Sequence, residues 1–177
     1  MNGSPAPAWI VRAATPPDLP VIQSIYADHV RHGTATFELD PPDLAEMTSR
    51  FVSLREGGFP YLVATDADGR VIGYGYAGPY RARPAYRFTV EDSIYLAPEH
   101  CGKGIGRLLL ERLLAESAEA GFRQMVAVIG DSANIASIRV HRAAGFAHVG
   151  TFRNVGYKFN RWLDTVMMQR ELTPPGS

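Results

Sequence analysis

The feature that most constrains the fold is residues 89–110, where a strand pattern, a glycine-rich turn and a helix pattern follow one another. β-Branched and aromatic residues predict a strand at Thr89–Leu96, and Pro98 ends it. Glycine then stands at every second position of residues 101–106. From Ile105 onward, apolar residues recur at helical spacing, namely Leu108, Leu109, Leu113 and Leu114.

A strand, a glycine turn and a helix in this order are typical of an anion-binding site. Glycines let backbone N–H groups approach a ligand closely, and the helix N-terminus adds a partial positive charge. Lys103 and Arg107 add mobile positive charge. The turn lacks the Gly-Lys-Ser/Thr of a P-loop, and Leu109 stands where a dinucleotide motif needs its third glycine. Taken alone, the pattern also fits a tight turn that binds nothing.

The composition is typical of one soluble globular domain, since 46% of the 177 residues are hydrophobic and 20% are charged. A formal net charge of zero argues against a general binder of nucleic acids or membrane surfaces. We expect no membrane span, no secretory signal and, with Cys101 as the single cysteine, no internal disulfide; a cytoplasmic protein is the natural interpretation. The expected organisation is a flexible tail at residues 1–8, a single domain at 9–172 and a loose tail at 173–177.

The hydrophobic periodicity and turn signals of the whole chain predict, in order, a strand, two helices, a hairpin, the strand–turn–helix unit, a strand, a short helix and two closing strands. The first helix begins at Thr15, and an exposed loop at residues 34–37 leads to a second helix that begins at Asp40. The core-facing residues of that second helix are expected to be Leu44, Met47, Phe51 and Leu54. The two closing strands are predicted at residues 146–151 and 165–170, and the linker between them at residues 154–164.

Residues 101–106 resemble the Gln/Arg-x-x-Gly-x-Gly/Ala signature of the GNAT superfamily of N-acetyltransferases, whose loop holds the pyrophosphate of acetyl-CoA. The order of elements over residues 10–172 resembles that family too. The resemblance implies an α/β fold with a mixed sheet that is splayed between its fourth and fifth strands and flanked by helices. Cys101 stands where the family usually has Gln or Arg, which we expect to weaken the site without abolishing it.

Four further segments resemble the phosphinothricin and methionine sulfoximine acetyltransferases, namely residues 76–83, 89–93, 126–130 and 156–164. This resemblance implies a homodimeric enzyme that uses acetyl-CoA as co-substrate and acetylates the α-amine of a small amino-acid-like acceptor. In the last segment, Lys158, Arg161 and Trp162 either serve the site or brace the sheet or a dimer interface. The implied cofactor-binding residues are Ile94, Tyr95, Leu96, Gly102, Lys103, Gly104, Ile105, Gly106, Arg107 and Asn134.

The implied chemistry needs a base, because an ammonium group must lose a proton before its nitrogen can attack the thioester. Glu91 matches the glutamate that this subgroup is thought to use, directly or through a water, and strand alternation puts Glu91 and Ser93 on one face. The N–H of Leu96 matches the donor to the oxyanion. His141 takes the place of a tyrosine seven residues after an asparagine, Asn134, which suggests an acid or a proton relay; a structural role is the alternative.

The acceptor is expected to contact side chains from several segments. Arginine grips a carboxylate or phosphinate in a planar fork, so Arg81 and Arg83 are candidates, with a solvated loop as the alternative. Phe37 belongs to a loop that the family places over the substrate. The full predicted set is Phe37, Tyr76, Arg81, Arg83, Glu91 and Ser93.

Two other functions fit the pattern less well. A protein N-terminus, a lysine or an aminoglycoside could be the acceptor, but neutral net charge and the arginine pair argue against a cationic acceptor. A non-catalytic acyl-CoA-binding module would have no need of Glu91 or His141. No metal site is predicted, because His29 and His32 lack carboxylate or thiol companions.

Overall fold

The computed structural model describes residues 9–173 and has a seven-stranded mixed sheet. The strands are β1 (Ile10–Ala13), β2 (Tyr61–Thr65), β3 (Val71–Pro79), β4 (Thr89–Leu96), β5 (Gln124–Gly130), β6 (Ala147–Lys158) and β7 (Arg161–Glu171), in the sheet order β1-β2-β3-β4-β5-β7-β6. The helices are α1 (Leu19–His32), α2 (Leu44–Glu56), α3 (Ile105–Glu119) and α4 (Ile135–Ala143). The predicted tails at residues 1–8 and 173–177 lie outside the described residues, apart from Thr173. None of the helices within residues 9–173 is long and apolar enough to cross a membrane.

The sheet opens between β4 and β5. These two parallel strands pair only from Thr89 with Gln124 to Asp92 with Ala127. Beyond Asp92 the strands separate, while β4 continues to pair with β3 as far as Leu96. The predicted α/β fold with its splay between the fourth and fifth strands is therefore confirmed, and the second half of β4 has an open edge.

Hydrophobic clusters pack on the two faces of the sheet. One lies under α3 and includes the fully buried Leu109 and Leu113, and the other packs α1 and α2 through residues such as Phe51. Full burial of one leucine side chain contributes about 1.5–3 kcal/mol. Because successive side chains of a strand alternate, β4 adds Val90 to the α3 cluster and Tyr95 to the α1–α2 cluster. The strand that carries the predicted base is thus fixed from both sides.

Two details of the helices differ from the prediction. Helix α2 begins at Leu44 and is capped by Asp43, whose Oδ1 accepts a hydrogen bond from Glu46 N at 2.8 Å, so the predicted start at Asp40 is wrong. Leu44 is 44% exposed, so it does not face the core as predicted; Leu108 is 38% exposed, although it belongs to the apolar pattern that predicted the helix. Both lie beside the buried stripe of their helix; in α3 that stripe runs through Leu110 instead.

The C-terminal hairpin is longer than predicted. β6 and β7 pair as far as Lys158 with Arg161, so residues 154–164 are mostly strand and the predicted linker is wrong. The turn is formed by Phe159 and Asn160, which both have positive φ, as a type I′ hairpin turn requires. The sequence pattern failed because β6 is an edge strand whose side chains are mostly exposed, so apolar and polar residues do not alternate along it.

Candidate active site

The splay opens a cleft of about 570 Å³, a volume typical of small-molecule sites. Its walls come from β4, β5, α3, α4 and the loop that joins α1 to α2. Most of the predicted site residues border it, namely Phe37, Tyr76, Glu91, Ser93, Ile94, Tyr95, Leu96, Gly102, Gly104, Gly106, Arg107, Asn134 and His141. These predicted residues come from five separate segments of the chain, which meet at one opening.

Four predicted residues lie elsewhere. Lys103 is exposed at the turn, and the side chain of Ile105 is fully buried in the cluster under α3. Arg81 and Arg83 are exposed in the loop between β3 and β4, and neither borders the cleft within residues 9–173. The Arg81 guanidinium instead lies 5.2 Å from the centre of the Tyr80 ring. A grip of these arginines on an acceptor stays a prediction.

The glycine turn presents backbone groups to the cleft. Gly102 and Gly104 have φ of 75° and 85°, a conformation that residues with a Cβ rarely adopt. A Cβ at either position would meet no atom of the described residues within 4 Å. Gly104 caps α3, so the N–H groups and the positive end of the helix face open space and fit a phosphate. Asn134 caps α4 through Oδ1, and its predicted contact with the cofactor would therefore use Nδ2.

The open edge of β4 directs backbone N–H groups into the gap. Ala97 N donates to Ile72 O at 2.9 Å, and hydrogen-bonding direction alternates along an antiparallel pair. The N–H groups of Ile94 and Leu96 therefore point away from β3. His29 of α1 donates from Nε2 to Leu96 O at 2.8 Å, which orients the Leu96–Ala97 peptide at the end of the open edge. The sequence gives no signal for this contact, because the two residues are 67 positions apart.

Glu91 lies half-buried near the closed end of the splay, on the opposite face of β4 from Asp92. Burial and the negative charge of Asp92 raise the pKa of Glu91 to about 7. A carboxylate with this pKa is poised to accept a proton at neutral to slightly alkaline pH. Tyr76 of β3 lies opposite Ser93, and burial raises the pKa of its phenol, which stays neutral.

His141 is buried, and both of its ring nitrogens have partners. Nδ1 lies 2.8 Å from Ser137 O, and Nε2 lies 2.9 Å from Asp92 Oδ2. A carbonyl only accepts, so Nδ1 carries a proton, and a second proton lies between Nε2 and the carboxylate. Burial lowers the pKa of His141, but the hydrogen bond and charge of Asp92 outweigh burial and the pKa is raised. The predicted acid role would require Nε2 to give up its bond to Asp92.

Asp92 is a candidate functional residue that the sequence prediction missed. Its Oδ1 is buried and has no hydrogen-bond partner within residues 9–173, although Asp92 borders the cleft. An unpaired buried acceptor costs about 1–3 kcal/mol, which a donor on a ligand would offset. Strand alternation places Asp92 on the face toward α4, but no sequence signal pairs it with His141, 49 positions later.

The loop at residues 33–38 forms the wall of the cleft on the Glu91 side. The sequence predicts this loop as exposed, but Thr36 is only 6% exposed, so that prediction is wrong for this residue. The cause is a polar network in which Tyr26 Oη lies 2.9 Å from both Thr36 Oγ1 and Glu38 Oε1. Phe37 borders the cleft, and its ring is 38% exposed.

No group of three or more His, Cys, Asp or Glu side chains within residues 9–173 is arranged to hold a metal ion. The polar groups of the cleft instead include backbone N–H groups, two carboxylates and two histidines. Donors along one strand, a phosphate-sized turn and a half-buried carboxylate with a raised pKa suit the transfer of a group from a phosphate-bearing carrier to a basic nitrogen.

Comparison with known proteins agrees with this chemistry. The family model of the acetyltransferase (GNAT) domain matches residues 11–167. The chain is 52% identical to the phosphinothricin N-acetyltransferase of Alcaligenes faecalis, over 93% of this chain and 83% of that protein. It is 42% identical to the L-methionine sulfoximine/L-methionine sulfone acetyltransferase of Pseudomonas paraeruginosa, over 94% of this chain and 96% of that protein.

A solved structure is also similar over nearly the whole chain. The crystal structure of a phosphinothricin acetyltransferase from Sinorhizobium meliloti in complex with acetyl-CoA superimposes with a TM-score of 0.92 at 48% identity, covering 96% of this chain and 92% of that chain. The chain therefore belongs to the GNAT acetyltransferase family. It is an N-acetyltransferase that uses acetyl-CoA, and the predicted family, enzyme class and co-substrate are confirmed.

Proposed function

We propose that this enzyme acetylates the α-amine of a small amino-acid-like acceptor, of the phosphinothricin or methionine sulfoximine kind. The names of the two relatives support this acceptor class. The main support for the proposal is the environment of Glu91. Its carboxylate is half-buried, borders the cleft near the closed end of the splay, and has a pKa raised to about 7. An α-ammonium group that reached this carboxylate could be deprotonated there.

Acetyl-CoA would be held mainly by backbone groups. The N–H groups of residues 102–107 fit its pyrophosphate, and the N–H groups of Ile94 and Leu96 fit its pantetheine arm and its carbonyl oxygen. Bound in this way, acetyl-CoA supplies an activated acyl group. The open space above Gly102 and Gly104 supports this fit, since a side chain at either position would occupy it.

Two protons must leave the acceptor nitrogen as it forms an amide bond. Glu91 takes the first, which frees the lone pair for attack on the acetyl carbon. The second balances the negative charge on the departing sulfur, and we assign its transfer to His141, which borders the cleft. Leu96 N–H stabilises the charge that develops on the carbonyl oxygen; removal of one such donor typically costs about 10²–10³ in rate.

An acceptor screen tests the proposal. Release of the CoA thiol is measured with amino acids, phosphinothricin, methionine sulfoximine, a lysine peptide with a free N-terminus and an aminoglycoside. We expect the highest kcat/KM for phosphinothricin or methionine sulfoximine. A higher value for the peptide or the aminoglycoside would contradict the acceptor class. Normal acetyl-CoA binding without turnover of any acceptor would favour a non-catalytic module.

We further propose a homodimer formed through the hairpin of β6 and β7. Several large apolar side chains along this hairpin are more than half exposed, namely Val149, Phe152, Val155, Tyr157 and Trp162. Such exposure marks interaction surfaces, and a symmetric contact would bury the same residues of both copies. Light scattering should report a dimer that Trp162→Lys weakens; a wild-type monomer at all concentrations would contradict it. The cytoplasmic location, expected from the unpaired Cys101, stays a prediction.

A further inference from the structure

Lys158, the last residue of β6, is buried at 3% exposure and holds the loop at residues 33–38. Its Nζ donates to Gly33 O at 2.8 Å and to Thr36 O at 2.9 Å. Burial lowers the pKa of this ammonium group, whereas the charge of Glu38 acts in the opposite direction. The side chain of Lys158, distant in sequence, thus provides hydrogen bonds to two carbonyl groups of the irregular loop.

Phe37, within the same loop, lies against two glycines of the sheet. A Cβ on Gly156 of β6 would overlap the Phe37 ring and lie 2.5 Å from Cδ1. A Cβ on Gly130 of β5 would overlap Thr34 O and lie 3.3 Å from Phe37 Cε2. Neither glycine has a positive φ, so the missing side chains serve the close approach of the loop and not a special backbone conformation.

We propose that Lys158 and Gly156 are positioning residues for the acceptor: they fix Phe37 beside the face of β4 that carries Glu91, and Phe37 then selects the acceptor side chains that fit. Neither Lys158 nor Gly156 borders the cleft within residues 9–173, so both act through the loop. The inference rests on the proposed function, because it takes the space between Phe37 and Glu91 as the acceptor site.

Gly156→Ala tests the seat of the Phe37 ring. The added methyl group must displace the ring, so kcat/KM for the best acceptor should fall about 10-fold and the order of acceptor preference should change. KM for acetyl-CoA should stay within about twofold, because the cofactor turn is untouched. Gly150→Ala is the matched control on the same strand, since a Cβ there meets no described atom within 4 Å. It should behave as wild type.

A double-mutant cycle shows whether the effect passes through Phe37. In a Phe37→Ala background the new methyl group has no ring to displace, so Gly156→Ala should cause no further loss in kcat/KM. The same 10-fold loss in both backgrounds would overturn the proposal. So would a Gly156→Ala enzyme with wild-type acceptor kinetics.

Lys158→Met tests the loop without any acceptor. Amide hydrogen exchange at residues 33–38 should accelerate by about 10-fold or more, while exchange in α3 and the thermal shift caused by acetyl-CoA stay as in wild type. Unchanged exchange in a folded Lys158→Met protein would overturn the proposal even if the enzyme acetylates amino acids. An enzyme inactive on every amino-acid acceptor would disprove the proposed function and leave this exchange result standing. Should Lys158→Met not fold, the Gly156 and Phe37 cycle decides the question.

Discussion

The two sides of the cleft are built in different ways. The proposed cofactor side consists of one short segment, residues 101–107, and the open edge of β4, and both present backbone N–H groups. The proposed acceptor side combines Phe37, Tyr76 and Glu91 from three distant segments, and its loop is held by Lys158 from a fourth. Under the proposed function, recognition of acetyl-CoA would depend on local backbone conformation, whereas recognition of the acceptor would depend on long-range contacts between side chains.

The largest expected effect lies on the acceptor side. Glu91→Gln keeps the shape of the residue but removes the proton acceptor, so kcat should fall by about 10²–10⁴. Acetyl-CoA affinity should stay nearly unchanged, since the cofactor side does not use this side chain. Steady-state kinetics and calorimetric titration separate the two effects. A kcat within a few-fold of wild type would remove Glu91 from the proton path.

A substitution on the cofactor side should instead weaken acetyl-CoA binding. Gly104→Val forces a β-branched residue into φ of 85°, and the resulting distortion should weaken acetyl-CoA binding by about 100-fold. Gly121→Val is the matched control, because Gly121 also has positive φ but lies at the far end of α3. The control should lose stability and keep affinity. Equal affinities for Gly104→Val and wild type would show that the turn does not hold the co-substrate.

The difference between contiguous segments and long-range contacts also explains which features the sequence could predict. The glycine turn and the β4 pattern are contiguous, so the pattern of residues 89–110 correctly predicted the strand, the turn and the start of the helix. The contacts of Asp92, His29 and Lys158 were not predicted, because their partners lie 49, 67 and more than 100 positions away and no spacing rule connects them. Arg81 and Arg83 were predicted from their chemistry and from the family resemblance of residues 76–83, and the structure leaves both exposed outside the cleft.

A smaller effect is expected where the two sides meet, at Asp92. In Asp92→Asn the amide can donate to His141 Nε2 while Nδ1 still donates to Ser137 O, so the geometry survives but Nε2 carries no proton to give. We expect kcat to fall about 10-fold. Removal of a negative charge beside Glu91 lowers the pKa of that carboxyl, so activity should persist to lower pH. A wild-type kcat would exclude His141 as the acid.

The smallest effect concerns the exposed arginines. If Arg83 binds an acidic group of the acceptor, Arg83→Ala should raise the acceptor KM about fivefold and change kcat little. Arg87→Ala, in the same exposed loop, is the control. An unchanged KM would place the partner of the acceptor carboxylate or phosphinate elsewhere on the acceptor side.

The most direct test of Glu91 as the base is the pH dependence of kcat/KM. Because burial and Asp92 raise the pKa of Glu91 to about 7, the carboxylate forms only as pH rises through that value. Wild-type kcat/KM should therefore increase with pH through an inflection near pH 7, and this inflection should disappear in Glu91→Gln. An inflection near pH 7 of the same size in both enzymes would contradict the assignment of Glu91 as the base.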